Sequence, residues 1–274
     1  MAAAEAADAK GLSPTRYEIL AIRYGSLTAR KSELYYRHAS YGEPDADVEM
    51  AYWFWALRDG SETILIDTGF APAAGARRGR TCLREPLDAL RDAGIEPADV
   101  STVIVTHMHY DHIGNLAAFP QAQLTVPRRE LEFWTSAIAA RAQFAAHVEE
   151  AEVEAVAAAA RDGRVRLLDG VEEIRAGISA HCVGGHSPGQ QITLVETQTG
   201  TVVITSDAVH FYEELELDRP FGVIADLEEM YAAFDLLRGL AASGAVLVPG
   251  HDPQVAARFP ALDSGAAALA VRVA

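Results

Sequence analysis

The sequence predicts an α/β protein with two mixed sheets flanked by helices. Three observations carry that reading. Short runs rich in Val, Ile and Thr, bounded by Gly, Pro or Asp, recur along the 274 residues. Stretches of helical periodicity lie between some of them. The strand-like runs cluster near the N-terminus and again at 178–207, which fits two sheets better than a single parallel one.

Taken in order, the β-type runs are YEILAIRY (17–24), YWFWALR (52–58), ETILIDTG (62–69), STVIVTH (101–107) and QLTVP (123–127). They continue with VRLL (165–168), ISAHCV (178–183), QITLVET (191–197), TVVITSD (201–207) and AVLVPGH (245–251). LREPLDALRDAG (83–94) reads as a helix with Leu83, Leu87 and Leu90 on one face and Gly94 as its stop. The Ala- and Glu-rich stretch 128–161 suits one or two helices. LEEMYAAFDLLRGLAA (227–242) sets Leu227, Met230, Tyr231, Phe234 and Leu237 at helical spacing, as a core-facing stripe requires. Residues 25–50 lack clear periodicity, and a long irregular segment of that kind is expected to be a functional loop.

Length and composition bound the rest. Half the residues are hydrophobic and 23% are charged, which is globular composition with ample core. We expect an Ala-rich, flexible leader over 1–15 and one domain over 16–274. The net charge of −16 sets the surface against phosphate backbones, so no nucleic-acid partner is expected. Two cysteines, Cys82 and Cys182, offer neither a disulfide framework nor CxxC spacing. With no secretory apolar core and no 18-residue apolar run, a cytoplasmic protein without a membrane span is the expectation.

The chemistry concentrates in THMHYDHIGN (106–115), where His107, His109, Asp111 and His112 fall within six positions behind an apolar run. Three more metal-capable side chains stand at further strand ends: His186 in VGGHSPGQ, Asp207 closing TVVITSD, and His251 in VPGHD. From an extended segment, His107 and His109 can converge on one ion, while Asp111 and His112 turn towards a neighbouring one. Neutral imidazole and carboxylate suit zinc and similar divalent ions, and a site with no Cys leaves room for water. Isolated turn residues would explain one such histidine but not seven ligand-type residues gathered in one motif and at strand ends.

HMHYDH resembles the HxHxDH signature of the metallo-β-lactamase superfamily, and LIDTG (65–69), GGHSPGQ and PGHD resemble that family's other motifs in order. The resemblance covers about residues 52–253. It implies an αββα sandwich of the metallo-β-lactamase type with two divalent metal ions per chain, zinc first, with Mn, Fe or Co also accepted. By that resemblance His107, His109 and His186 hold one ion, Asp111, His112 and His251 hold the other, and Asp207 bridges. Asp67 would orient the loops from behind the ligands. Such a pair makes hydroxide available near pH 7 and polarises a carbonyl. Asp111 would orient the water or move its proton. Ser187 in GHSPG does not match G-x-S-x-G and reads as a turn residue.

Departures among subfamilies narrow the substrate. A bridging Asp207 counts against a β-lactamase, His109 against the redox di-iron relatives, and the acidic surface against nucleases. The layout is most similar to N-acyl homoserine lactonases, so the expected reaction is opening of a lactone or related small cyclic ester, with quorum quenching as the associated role. Those lactonases carry a Tyr three residues after the bridging Asp. Here that position is His210, and the nearest phenol is Tyr212, so both are candidate catalytic residues. The runner-up is a thioesterase of the hydroxyacylglutathione hydrolase type. Aromatic side chains before the motifs, among them Tyr35, Tyr36 and half of Tyr52-Trp53-Phe54-Trp55, are expected to line an acyl pocket or a homodimer contact.

Overall fold

A computed structural model describes residues 17–262 and 269–274. The leader expected at 1–15 lies outside the described residues.

Alternation decides which face each strand buries. The strands are β1 (Glu18–Arg30), β2 (Asp47–Arg58), β3 (Thr63–Ile66), β4 (Thr81–Cys82), β5 (Val100–Ile104), β6 (Gln123–Pro127) and β7 (Val165–Leu168). After them come β8 (Val171–Arg175), β9 (Ile178–Cys182), β10 (Gln191–Thr197), β11 (Gly200–Ser206), β12 (Val246–Pro249) and β13 (Ala270–Arg272). The first sheet runs β13-β1-β2-β3-β5-β6-β7, with β4 paired to β1, and the second runs β12-β11-β10-β9-β8. Both are mixed. The pairs from β3 through β7 are parallel and those around β1 and β2 antiparallel, while β11–β12 is the parallel pair of the second sheet.

Ile19, Ala21, Trp53, Trp55, Leu57, Ile64 and Ile66 of the first sheet join Ile178, Ala180, Val195, Val202 and Ile204 of the second in one buried cluster between the sheets. Alternate residues Leu20, Ile22, Tyr52, Phe54 and Ala56 face the other way, into the cluster that helices cover. Each large side chain so buried contributes roughly 1.5–3 kcal/mol. The helix Leu227–Ala242 turns Met230, Ala233, Phe234 and Leu237 inward and opens on an Asp226 cap that accepts from the Glu229 amide. Two mixed sheets flanked by helices are what the strand clusters predict, and the αββα arrangement is what the family resemblance implies.

Two expectations need correction. The stretch 25–50 is not one irregular loop. Gly25–Arg30 continue β1, a short helix covers Lys31–Leu34, and β2 begins at Asp47. A register shift between Arg23 and Gly25 hides the alternation there. The stretch 128–161 holds three helices, Arg128–Trp134, Ala142–Ala145 and Glu150–Arg161. No helix among the described residues is long and apolar enough to cross a membrane.

Candidate metal centre

Strand ends build the site. Beyond β5 lie Thr106 and His107, beyond β9 His186, beyond β11 Asp207, and beyond β12 His251. The helix Tyr110–Ile113 carries Asp111 and His112. The two sheets meet at this edge: Gln191 of the second sheet donates its amide to Thr106 O at 3.0 Å, and Ala51 of the first donates to His251 O at 2.8 Å. Gly250 is required beside the cluster, because a Cβ there would stand 2.7 Å from Asp207 Oδ1.

All seven expected ligand residues converge. Ligand atoms of His107, His109 and His186 lie within 4.8 Å of one another, and so do those of Asp111, His112 and His251. His109 Nδ1 stands 2.9 Å from His107 Nε2 and 3.0 Å from His186 Nε2. Asp207 spans the two groups. Its Oδ2 is 3.3 Å from His186 Nε2 and 3.8 Å from His107 Nε2. Its Oδ1 is 3.4 Å from His112 Nε2 and 3.2 Å from His251 Nε2.

The surroundings fix which nitrogen faces inward. His186 Nδ1 lies 3.0 Å from Val223 O, and His251 Nδ1 lies 2.8 Å from Ala51 O. A carbonyl can only accept, so each Nδ1 carries the proton and each Nε2 lone pair points into the cluster. His112 does the same through Asp67, whose Oδ2 is 2.7 Å from His112 Nδ1. Asp67 also accepts from the Thr106 amide and hydroxyl at 2.8 and 2.7 Å, so it ties β3 to the histidine loop. It pays a left-handed φ of 62° to do so.

The donor set fits divalent cations. Burial, and then neighbouring imidazoles, push His107 and His109 well below the ordinary histidine pKa; burial does the same for His186. These rings are therefore held neutral at pH 7, the form that can offer a lone pair to a cation. Burial also pulls on His112, yet Asp207, Asp67 and Asp111 override it and raise its pKa well above the usual value. The carboxylates call for positive charge at His112 Nε2, a buried atom with no hydrogen-bond partner. Around His109 Nδ1 one proton at most can serve two facing lone pairs, and a cation serves all three.

The candidate catalytic residues part company. His210 is fully buried beside the cluster, with Nε2 3.2 Å from Asp207 Oδ2 and its ring stacked on Phe221 at 3.7 Å. Burial lowers its pKa, but Asp207 and Glu214 outweigh that and lift it to about 9. Tyr212 is corrected: its hydroxyl donates to Leu247 O at 3.2 Å and its ring stacks under Arg258 at 3.5 Å, away from the cluster. It opens the helix Tyr212–Leu217, whose direction carries its side chain to the core between the sheets. Among the expected pocket aromatics, Tyr52 reaches the site, edge-on to His251 at 5.0 Å. Tyr35 instead packs on Phe211.

Two residues escaped sequence reading. Glu130, fully buried, accepts from Met108 N at 2.8 Å, Trp134 Nε1 at 2.7 Å, Ser187 Oγ at 2.5 Å and Gly189 N at 2.6 Å. One carboxylate thus pins the loops of His109 and His186 together. Ser187 is indeed a turn residue, held by that acid. Glu214, also fully buried, accepts from the His210 and Phe211 amides and stands 3.4 Å from His210 Nδ1. RRELEFW holds two acids, Glu130 and Glu132, and the available signal for Glu130 was its i,i+4 spacing to Trp134 on the buried face.

The cluster opens into a cavity of about 330 Å³ lined by Leu27, Met50, Tyr52, Arg80, Asp111 and His210. A second cavity of about 320 Å³ lies beyond His109 and His186, among Trp134, Phe144, Pro188 and Ile224.

Comparison with known proteins agrees with this geometry. N-acyl homoserine lactonase AiiA of Bacillus thuringiensis subsp. kurstaki is 28% identical over 193 residues, covering 65% of this chain and 72% of that relative. The crystal structure of a quorum-quenching N-acyl homoserine lactone lactonase superimposes with a TM-score of 0.72 at 22% identity, covering 90% of this chain and 96% of that one. AidC, a dizinc quorum-quenching lactonase, superimposes with a TM-score of 0.70 at 20% identity, covering 88% of this chain and 90% of its own. Likeness at those identities establishes the fold. The sequence model of the metallo-beta-lactamase superfamily matches residues 48–268, and the chain belongs to that superfamily.

Proposed function

We propose that the chain is a dinuclear-metal hydrolase that opens a lactone, an N-acyl homoserine lactone or a related small cyclic ester. The observation that carries this reading is the convergence of two buried ligand triads on one shared carboxylate, Asp207. His107, His109 and His186 would hold one ion, Asp111, His112 and His251 the other, with Asp207 between. Zinc suits these donors. Bound there, the ions supply a polarised ester carbonyl and hydroxide at neutral pH.

The chain's own residues do the rest. In ring opening, water oxygen bonds to the acyl carbon, the ring C–O bond breaks, and a water proton ends on the leaving alkoxide. Asp111, at the cavity wall with its backbone carbonyl held by Tyr24 Oη at 2.9 Å, is placed to relay that proton. His210, braced by Phe221 and Glu214, offers a hydrogen bond to the carbonyl or leaving oxygen, where lactonase relatives place a Tyr. The cavity beyond His109, walled by Trp134 and Phe144, suits an apolar acyl group.

Metal analysis of purified protein, paired with a pH-indicator assay over a lactone panel, tests the reading. About two ions per chain and ring opening are expected. Well under one ion per chain, or no lactone opened, sinks it. The AiiA relative is a lactonase, which ranks a lactone ahead of a glutathione thioester. Faster turnover of S-lactoylglutathione would reverse that order.

A further inference from the structure

Most described arginines in this acidic chain sit in ion pairs. Arg23, Arg30, Arg58, Arg77, Arg78 and Arg84, for example, each sit in an ion pair with a nearby carboxylate. Arg80 is different. It lines the cavity beside the cluster, is partly buried, and forms no ion pair with any carboxylate among the described residues. Its Nε donates to Tyr110 Oη at 2.9 Å and its Nη1 to Arg78 O at 2.9 Å. Both partners are neutral oxygens on the guanidinium's near side, and together they fix its plane. Of its five N–H groups, the two on Nη2 and one on Nη1 find no acceptor among the described residues. A half-buried cation with its fork left over is expensive unless something anionic meets it.

We propose that Arg80 is a specificity-determining residue and that the substrate carries a carboxylate, which the free edge of Arg80 takes while the ester group lies at the metal centre. This rests on the hydrolase reading above and names its substrate class: an acid-bearing lactone or small ester. The chain's overall charge repels such a substrate at long range, so a fixed cation at the pocket wall is what admits it. Of the other acids on the cavity wall, Glu33 is engaged with the Arg30 amide at 2.9 Å, while Asp111 and Asp207 belong to the candidate metal cluster and form no ion pair with Arg80. Leu27, Met50 and Tyr52 line the same cavity, and among the described residues no second arginine or lysine does, so away from the metal centre Arg80 is the cation that meets the carboxylate. A cavity of about 330 Å³ holds a small acid of this kind rather than a large conjugate.

The test compares γ-butyrolactone with its γ-carboxylated analogue on the metal-loaded enzyme, in wild type, Arg80→Gln and Arg80→Lys. Glutarate, which has no bond to hydrolyse, is titrated calorimetrically into the same three proteins. Wild type is expected to favour the carboxylated lactone. Arg80→Gln is expected to cut the carboxylated-to-neutral ratio of kcat/KM at least tenfold, mainly through KM, and to weaken glutarate at least tenfold. Arg80→Lys restores part of both, which a purely structural role would not do. An unchanged ratio and unchanged glutarate affinity in Arg80→Gln overturn the proposal, since the anion is then held by the metals alone. If neither lactone opens yet glutarate still depends on Arg80, the lactonase reading falls and the anion site stands.

Discussion

His210 is the residue on which this chain parts from the lactonase pattern. Its ring is locked between Phe221 and His251, and a carboxylate faces each of its nitrogens. His210→Ala is expected to lower kcat by about 10²-fold while two metal ions per chain remain. Steady-state kinetics beside metal analysis check this, and loss of one ion would recast His210 as a ligand. His107, His109, Asp111, His112, His186, Asp207 and His251 were legible as a candidate set, because each is a ligand-type residue at a strand end or in one short motif, and the structure brings them together. The sequence did not separate His210 from Tyr212. Two residues apart in sequence, they diverge because a helix begins at Tyr212 and turns its side chain to Leu247.

At the level of elements, Glu130 shows what periodicity hides. The helix Arg128–Trp134 reads as an amphipathic segment, and its one buried acid looks like a misplaced surface residue. In three dimensions that acid collects four donors from two loops and a Trp. Glu130→Ala is expected to destabilise the fold by about 3 kcal/mol, as several donors lose a charged acceptor. Urea unfolding measures it, and a change under about 1 kcal/mol would refute the pinning role. The helix Glu150–Arg161 carries a second displaced acid. Burial, then the Glu149 charge, raise Glu152 to about 7, and its Oε2 has no partner. A raised folded-state pKa means the native state holds the proton more tightly, so stability falls as pH climbs from about 4.5 through 7. Glu152→Gln removes that loss. The variant should match wild type near pH 4.5 and exceed it by about 1–2 kcal/mol at pH 8, after allowance for partial exposure. Denaturation at both pH values checks the sign. Strand centres such as 123–127, 165–168 and 191–197 were legible to the residue, because alternation and bounding Gly or Pro mark them. The three residues of β13 were not, since their partner is the distant β1, nor was the acidic VEEIR of β8, where Ile174 is the one buried residue.

For the whole molecule, the readable part was the class: strands in two clusters with helices between them demand two sheets. What no local pattern showed is that the sheets meet edge to edge through Gln191 and Ala51, so that the ligands of both triads come from opposite halves of the sandwich. Such a centre couples metal to stability. Chelation with dipicolinate leaves lone pairs and carboxylates facing one another, and a ligand at a hundredfold over Kd is worth about 2.7 kcal/mol. The melting temperature is therefore expected to fall by roughly 5–10 °C and to recover with added zinc. Calorimetry that shows no shift would mean the halves do not share a metal.

Crystals grown with zinc and measured across the zinc absorption edge test the central claim most directly. Two anomalous peaks per chain are expected, one among His107, His109 and His186 and one among Asp111, His112 and His251, with Asp207 reaching both. A single peak, or peaks that leave either triad unligated, would contradict the shared two-metal centre.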